Sequence, residues 1–435
     1  NLRGVARRLV REMCAANAYV MTRDPLSREN IKDVILSTLI CERKSPGRAW
    51  IVKGFNTNKA VYEDIQLEGM IDMVLDLKEV PEDINVFLKF EPTKKAKLAA
   101  GMPRCISGCD VLEQIRCQAY FKDLNMALCK GYKKSPICVG WSPIKPGDGR
   151  WFYDSFKGCN LIIEDDAKNW DWCGLMPFTV NDVATIAVSL ARRAGRMSAE
   201  EEDSWRSGAM ATALRQFTMP FVLPDGTIIE RLEPCIMTSG SVLTLAFNSL
   251  AMLYLDTIAK LQMGYTVDQI RREFRVKVGG DDKLQGVPAD FDHDAYMAKF
   301  KAMGVTVHDA KQHASIDGAE FFSWNFGKDK QGEVTWLPSR FTKHVENLKM
   351  TKFRDLNQAL ISHMFNWAHS PAHYEFFRDI FVRASELDAA LPAGERVGTF
   401  DLLRVPTIED IKDRFAGFEK VSTCFSAVVP DPFAN

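Results

Sequence analysis

The order of its segments predicts an α+β fold, a small sheet backed by helices. Three observations support this. A short strand, a helix, a hairpin, a long helix and a second hairpin follow one another between residues 160 and 285. At 435 residues and 46% hydrophobic content the chain exceeds one ordinary domain, so two or three packed subdomains are expected. No repeat, low-complexity tract or Pro/Gly/Ser linker separates them, which predicts subdomains woven together.

Taken in order, the opening "NLRGVARRLVREM" reads as a basic amphipathic helix docked on the core. The first 150 residues mix helices with short strands and basic loops. "NLIIE", Asn160 to Glu164, is a short strand that ends abruptly at Asp165 and Asp166. The spacing of Val183, Ile186, Ala187 and Leu190 predicts a helix over about 181–194, stopped by Gly195. "FVLPDGTII" sets Asp-Gly between two apolar β-formers and predicts a hairpin. After Ser239-Gly240 a long helix runs to about Met263. "VKVGGDDKL" then reads as strand, tight turn, strand, with Gly279 and Gly280 relieving the backbone and the acids at the tip. Beyond it "DHDAYMAKFKAMG" is helical and "VTVH" a strand, "AEFFSWNF" and "EVTWL" make a hairpin around "GKDKQG", and the pattern from about Arg340 is mostly helical.

Composition excludes several classes. A formal net charge of -1 argues against coating nucleic acid through an overall positive field, so any polyanion must be met by local basic clusters. Eleven cysteines, odd in number and irregular in spacing, point to reduced thiols in a cytosolic compartment; Cys105 and Cys109 have no matching second pair for zinc. Pro371 breaks the helix that would align His363, His369 and His373. The most apolar long segment, Val242 to Leu255, is shorter than a bilayer span and reads as a buried helix. No signal peptide is visible, and a first residue other than methionine predicts a product cut from a longer precursor.

Two acidic sites and a polar helix carry the chemistry. In "EDDAKNWDW", Asp166 ends a strand and Asp171 follows five positions on, after a turn that returns its side chain toward the same cleft. Carboxylates from separate strands, Asp166 and Asp281, suit two hard divalent ions. Ions about 4 Å apart activate an attacking hydroxyl and stabilise the leaving oxygen of an in-line phosphoryl displacement. In "SGSVLTLAFNS", Thr244 and Asn248 lie four apart on one face of an otherwise apolar helix, where unpaired polar groups are costly. Ser239-Gly240 gives that helix a flexible start with room for a close backbone or base.

An acid, four residues and an acid, then Ser-Gly-x3-Thr-x3-Asn, then Gly-Asp-Asp, resemble motifs A, B and C of viral RNA-dependent RNA polymerases. "KFEPTKKAKLAAGMPRCI" resembles their motif F, in the form found in the sobemovirus and polerovirus group, through Lys89, Glu91, Lys97 and Arg104. "SPGRAW" is similar to the motif G of that group at the template entrance, through Ser45, Pro46 and Gly47. "VTVHDAKQH" places Lys311 where motif D has a lysine that protonates pyrophosphate, with Lys301 as its rival, and "EFFSWNF" resembles motif E.

The resemblance implies a right-hand polymerase with an antiparallel palm sheet: fingers at 1–157 and 178–237, palm at 158–177 and 238–327, thumb at 328–435. It implies two Mg²⁺ ions, replaceable by Mn²⁺, on Asp166, Asp281 and Asp282 with the carbonyl of Ala167. Asp165 should face the other side of its strand. Asp171, Ser239, Gly240, Thr244 and Asn248 would bear on the nucleotide and its ribose, and Lys89, Glu91, Lys97 and Arg104 on the triphosphate. Lys168, Asn169 and Trp170 are bulkier than the residues often found inside motif A and would crowd the ribose pocket, while Trp172 reads as packing. The implied partners are an RNA template and product strand, NTPs, and other viral replication proteins or a protein primer. The implied setting is a membrane-associated replication complex in the host cytoplasm. Rival readings are a non-catalytic RNA-binding scaffold of the same fold and a reverse transcriptase.

Overall fold

The computed structural model describes residues 1–37, 41–78, 80, 81, 83–89, 93, 95, 99–101 and 104–417, with backbone alone at 308, 309 and 404. Among them the strands are β1 (Tyr19–Val20), β2 (Ile84–Leu88), β3 (Cys105–Cys109), β4 (Ile162–Ala167), β5 (Ala191–Arg192), β6 (Phe221–Val222), β7 (Ile228–Ile229), β8 (Arg275–Gly279), β9 (Asp282–Gly286), β10 (Val307–His313), β11 (Glu320–Phe321), β12 (Trp324–Lys328) and β13 (Val334–Pro338). They form sheets in the orders β1–β5, β3–β2–β6–β7, β10–β4–β9–β8 and β11–β12–β13. Helices outnumber them along the chain, so the α+β class holds.

The β8–β9 hairpin is local chemistry made visible. Val276 and Val278 are buried on one face of β8, and the chain reverses through Gly280 and Asp281. Gly280 takes φ +66 at the first turn position, a conformation that costs glycine little and that matches the twist of a two-residue hairpin. The free edge of β8 is covered: Val278 N–H donates to Pro136 O at 2.9 Å and Cys138 N–H to Val278 O at 2.8 Å. The predicted long helix spans Thr244–Gln262, and every residue from Ala246 to Lys260 is buried, which is why its sequence is apolar on all faces.

Contacts divide the chain into two compact units. The first comprises Asn1–Gly140, Asp165–Lys283 and Asp290–Ala310. In it the N-terminal helix Leu2–Met13 docks through Arg3 and Arg7, both paired with the buried Asp182 at 2.7 and 3.3 Å. The helix predicted over 181–194 runs instead over Pro177–Ser189. Pro177 at its first turn sets the start, and its end precedes Gly195 because Ala191–Arg192 leave to pair with β1. "FVLPDGTII" forms the predicted hairpin, with Phe221 opposite Ile229.

The second unit comprises Trp141–Glu164, Leu284–Ala289 and Lys311–Asn435. Here one expectation needs correction: "AEFFSWNF" is not a single strand. Phe322 and Ser323 both take positive φ, 51° and 60°, so the run folds back on itself and pairs Phe321 with Trp324 before β12 pairs with β13. Burial explains the strain, since Phe321 and Phe326 stack on Phe152 with ring centroids 4.9 and 5.0 Å away. Helices Phe341–Lys349, Leu356–Asn366, Pro371–Ala390 and Ile408–Phe415 follow, and Pro371 opens the third of these rather than interrupting it.

Candidate active site

Strand alternation sorts the acids of β4. Asp165 is 3% exposed, whereas Asp166, one residue on, faces solvent. Beneath the sheet Asp165 meets Lys283 of the neighbouring strand β9 at 2.9 Å. That contact aligns the two strands, so Asp166 and Asp282, the chain neighbours of the pair, share the opposite face. Asp281 stands at the hairpin tip, where Gly280 N–H donates to Ser249 Oγ at 2.8 Å and ties the tip to the long helix.

The turn after β4 brings back the second acid. Asn169 adopts the left-handed conformation at φ +52, which asparagine tolerates, and a single helical turn over Trp170–Cys173 follows. Trp170 is 2% exposed and turns inward, flat against Gly174, where a Cβ would lie 2.6 Å from its ring. It therefore packs beneath the turn. Trp172, expected to pack, sets its ring 6.3 Å from that of Phe221 yet stays 59% exposed, because it falls on the outer side of that turn. Asp171 points back and accepts a 2.8 Å hydrogen bond from Asn248 Nδ2. The other amide atom, Asn248 Oδ1, is buried without a hydrogen-bond partner among the described residues.

The start of the long helix is held by a seam that sequence reasoning missed. Ser107 of β3 and Ser239 bond reciprocally: Ser107 N–H to Ser239 Oγ at 3.0 Å, and Ser239 N–H to Ser107 Oγ at 2.9 Å. Gly240 N–H donates to Ser107 O at 2.7 Å, and a Cβ on Gly240 would stand 2.7 Å from that same oxygen. The glycine thus permits a close backbone approach. Thr244 Oγ1 donates to the carbonyls of Thr238 and Ser241, both at 2.7 Å, closing the first turn of the helix. Its hydroxyl and that of Ser239 are engaged with protein, while Asn248 presents its free oxygen.

Electrostatics separate this face from the one below. Burial pushes the Asp171 carboxyl up, against the pull of Asn248 and Arg104. Protein crowded around the Asp281 tip likewise pushes its carboxyl up, and the negative charge of Asp171 adds to the effect while Arg104 opposes it. Below, burial also pushes Asp165 up, but Lys283 and His293 outweigh it and hold the carboxyl at about 2.

Among the described residues no three His, Cys, Asp or Glu side chains close into a ready-made metal cage. Asp166 near the end of β4 and Asp281 at the hairpin tip are both open to solvent, and such carboxylates could hold an ion that takes only one or two protein oxygens and completes its shell with water and substrate phosphate, as Mg²⁺ does. Asp282 at the start of β9 and the backbone carbonyl of Ala167 at the end of β4 could add further oxygens.

A family of viral RNA-dependent RNA polymerases matches residues 53–387. The chain belongs to that family. An RNA-directed RNA polymerase of Mushroom bacilliform virus (isolate Australia/AUS LF-1) is 25% identical over 291 residues, 63% of this chain and 62% of that protein, so less than two thirds of the curated relative is spanned. A solved Sicinivirus 3Dpol RNA dependent RNA polymerase shares the fold, with a TM-score of 0.70 at 15% identity over 96% of this chain and 85% of that one.

The remaining polymerase motifs fall as follows. Lys89 and Arg104 sit at one end of the β2–β3 pair, joined by Lys89 N–H to Arg104 O at 2.8 Å, and the field of Arg104 reaches both Asp171 and Asp281. Glu91 and Lys97 lie outside the described residues. Ser45, Pro46 and Gly47 seat on the start of the helix Val111–Gly131: Pro46 O accepts from Val111 N–H at 2.9 Å, and Gly47, at φ +108, leaves 2.7 Å between a would-be Cβ and Asp110 Oδ2. Lys311 belongs to the second unit, where its ammonium meets Glu164 at 2.6 Å, and His313 holds the other oxygen of Glu164 at 3.2 Å.

Proposed function

We propose that this chain is an RNA-dependent RNA polymerase that transfers ribonucleoside monophosphates from NTPs to an RNA 3'-hydroxyl, copying a viral RNA genome. The observation that carries the reading is the Asp171–Asn248 pair with its spare buried acceptor, Asn248 Oδ1, in the same field as Asp281. A buried amide oxygen without a donor is costly, and a ribose 2'-hydroxyl is a donor of the right kind. A deoxyribose would leave that oxygen unmatched. The reading therefore includes a preference for ribonucleotides.

In this scheme Asp166, Asp281 and Asp282, with the Ala167 carbonyl, would hold two Mg²⁺ ions, for which Mn²⁺ substitutes. Bound there, such ions supply charge neutralisation for the attacking and leaving oxygens of in-line displacement. Arg104, with Lys89 beside it, meets the triphosphate, a planar donor fork against phosphate oxygens. Lys311 is the candidate proton donor to the leaving pyrophosphate and would have to exchange its Glu164 partner for that task. Fingers at 1–157 and 178–237, palm at 158–177 and 238–327 and thumb at 328–435 complete the proposal.

The test is RNA-templated incorporation of labelled ribonucleotides by the purified chain and by Asp281→Ala, with Mg²⁺ and then Mn²⁺, on primed and unprimed templates. Incorporation that needs template and metal and is lost in the variant supports the reading. A preference for deoxynucleotides would favour a reverse transcriptase. A folded chain that binds RNA but incorporates nothing, with its relatives' accessory proteins supplied, would favour the scaffold.

A further inference from the structure

We propose that Lys283, bonded to Asp165, is a positioning residue that sets the spacing of the metal acids from beneath the sheet. This rests on the metal-dependent reading above but concerns residues to which that reading gives no role. Lys283 directly follows Asp282, and Asp165 directly precedes Asp166. Each partner of the 2.9 Å ion pair is therefore one peptide step, about 3.8 Å between Cα atoms, from an acid on the opposite face. Fixing the pair fixes the two acids above it.

The pair is itself braced. Asp256 of the long helix accepts from Lys283 at 3.4 Å, from the Tyr296 hydroxyl at 2.5 Å and from Lys260 at 2.6 Å. His293 Nε2 stands 3.4 Å from the second oxygen of Asp165. The rings of Tyr296 and Phe300 flank the Lys283 ammonium at 4.6 and 4.8 Å, leaving it no path to solvent. Lys260, Lys283, Asp165 and Asp256 are all buried, two charges of each sign. An apolar core of the same volume would stabilise the fold as well or better, because buried ions must first be desolvated. What charged hydrogen bonds add is direction: they lock two strands and one helix in a single register, where apolar contacts are non-directional. The helix so locked is the one that carries Asn248 and Ser249.

The deciding experiment uses the full chain and the double variant Asp165→Leu/Lys283→Met, which replaces the pair by apolar side chains. Thermal melting reports folding, and titration of free Mn²⁺ by electron paramagnetic resonance reports metal affinity without any need for turnover. The Mg²⁺ dependence of incorporation is then read at saturating NTP. We expect a folded variant with roughly tenfold weaker Mn²⁺ binding, a similar rise in the Mg²⁺ needed for half-maximal rate, and an NTP KM within about threefold of wild type. A folded variant with wild-type Mn²⁺ affinity and Mg²⁺ dependence overturns the proposal. Should the double variant not fold, Asp165→Asn, which keeps shape and removes charge, is judged by the same readouts. A wild-type chain that binds Mn²⁺ yet incorporates nothing counts against the polymerase reading, and the Mn²⁺ titration still decides the role of Lys283.

Discussion

The two faces of the central sheet hold the same kind of side chain under opposite terms. Above, burial raises the Asp171 carboxyl and the protein crowded around the exposed tip raises that of Asp281, while Arg104 only moderates the rise. Below, burial works on Asp165 and Asp256 in the same direction, yet the lysines at 283 and 260 reverse it and both carboxyls end low. Desolvation is common to both faces. The cations differ: Lys283 and Lys260 outweigh desolvation at Asp165 and Asp256, whereas Arg104 does not outweigh it at Asp171 and Asp281. On the proposed reading, acids that serve catalysis and acids that serve structure are told apart here by the cations that compensate them.

The contrast can be broken most sharply at the tip. Asp281→Ala should cut incorporation by about a thousandfold or more while changing unfolding free energy by no more than about 0.5 kcal/mol, checked by initial rates and urea melts. Lys283→Met alone should do the reverse in stability, costing about 3–5 kcal/mol because the buried Asp165 loses its lysine, and adding Asp165→Leu should recover most of it. A cost under about 1 kcal/mol would erase the distinction between the faces. Asn248→Ala should lower the preference for ribo- over deoxyribonucleotides by about 10- to 100-fold in kcat/KM, measured with matched NTP and dNTP pairs.

Acid titration sharpens the comparison further. Asp165 has its carboxyl lowered from 3.8 to about 2, so its contribution, about 2 kcal/mol, is complete above pH 4 and is lost as pH falls toward 2. Asp165→Asn should flatten that part of the stability profile between about pH 4 and 2. Asp281 has the opposite sign: its raised carboxyl costs stability when ionised, so Asp281→Asn should stabilise the chain at neutral pH. Solvent at the exposed tip screens the gain, which should stay under about 1 kcal/mol and fade as the wild-type carboxyl protonates.

Much of this was written locally in the chain. The Gly-Gly-Asp-Asp tip, the Asp-Gly hairpin and the apolar helix from Thr244 all follow from turn chemistry and periodicity within a dozen residues. The reversal at Phe322 and Ser323 did not, because neither residue favours positive φ and only the aromatic packing around Phe152 accounts for it. Asp171 and Asn248 could be anticipated as a pair from their residue types, but the serine seam could not. Ser107 and Ser239 are 132 positions apart and nothing in either neighbourhood marks the other. Lys283 was passed over for a similar reason: beside two acids it reads as one more surface charge until Asp256 and Tyr296 come round to enclose it.

The seam at Ser107 has a consequence for how the molecule breathes. Three backbone amides, those of Ser107, Ser239 and Gly240, are protected only while strand and loop stay together. They should exchange with deuterium at one common rate, set by the opening of the whole junction rather than by local fraying. Because Arg104 lies three residues before Ser107 and Asn248 nine after Ser239, that rate would time the arm proposed to meet phosphate and the helix proposed to read sugar as a single moving part.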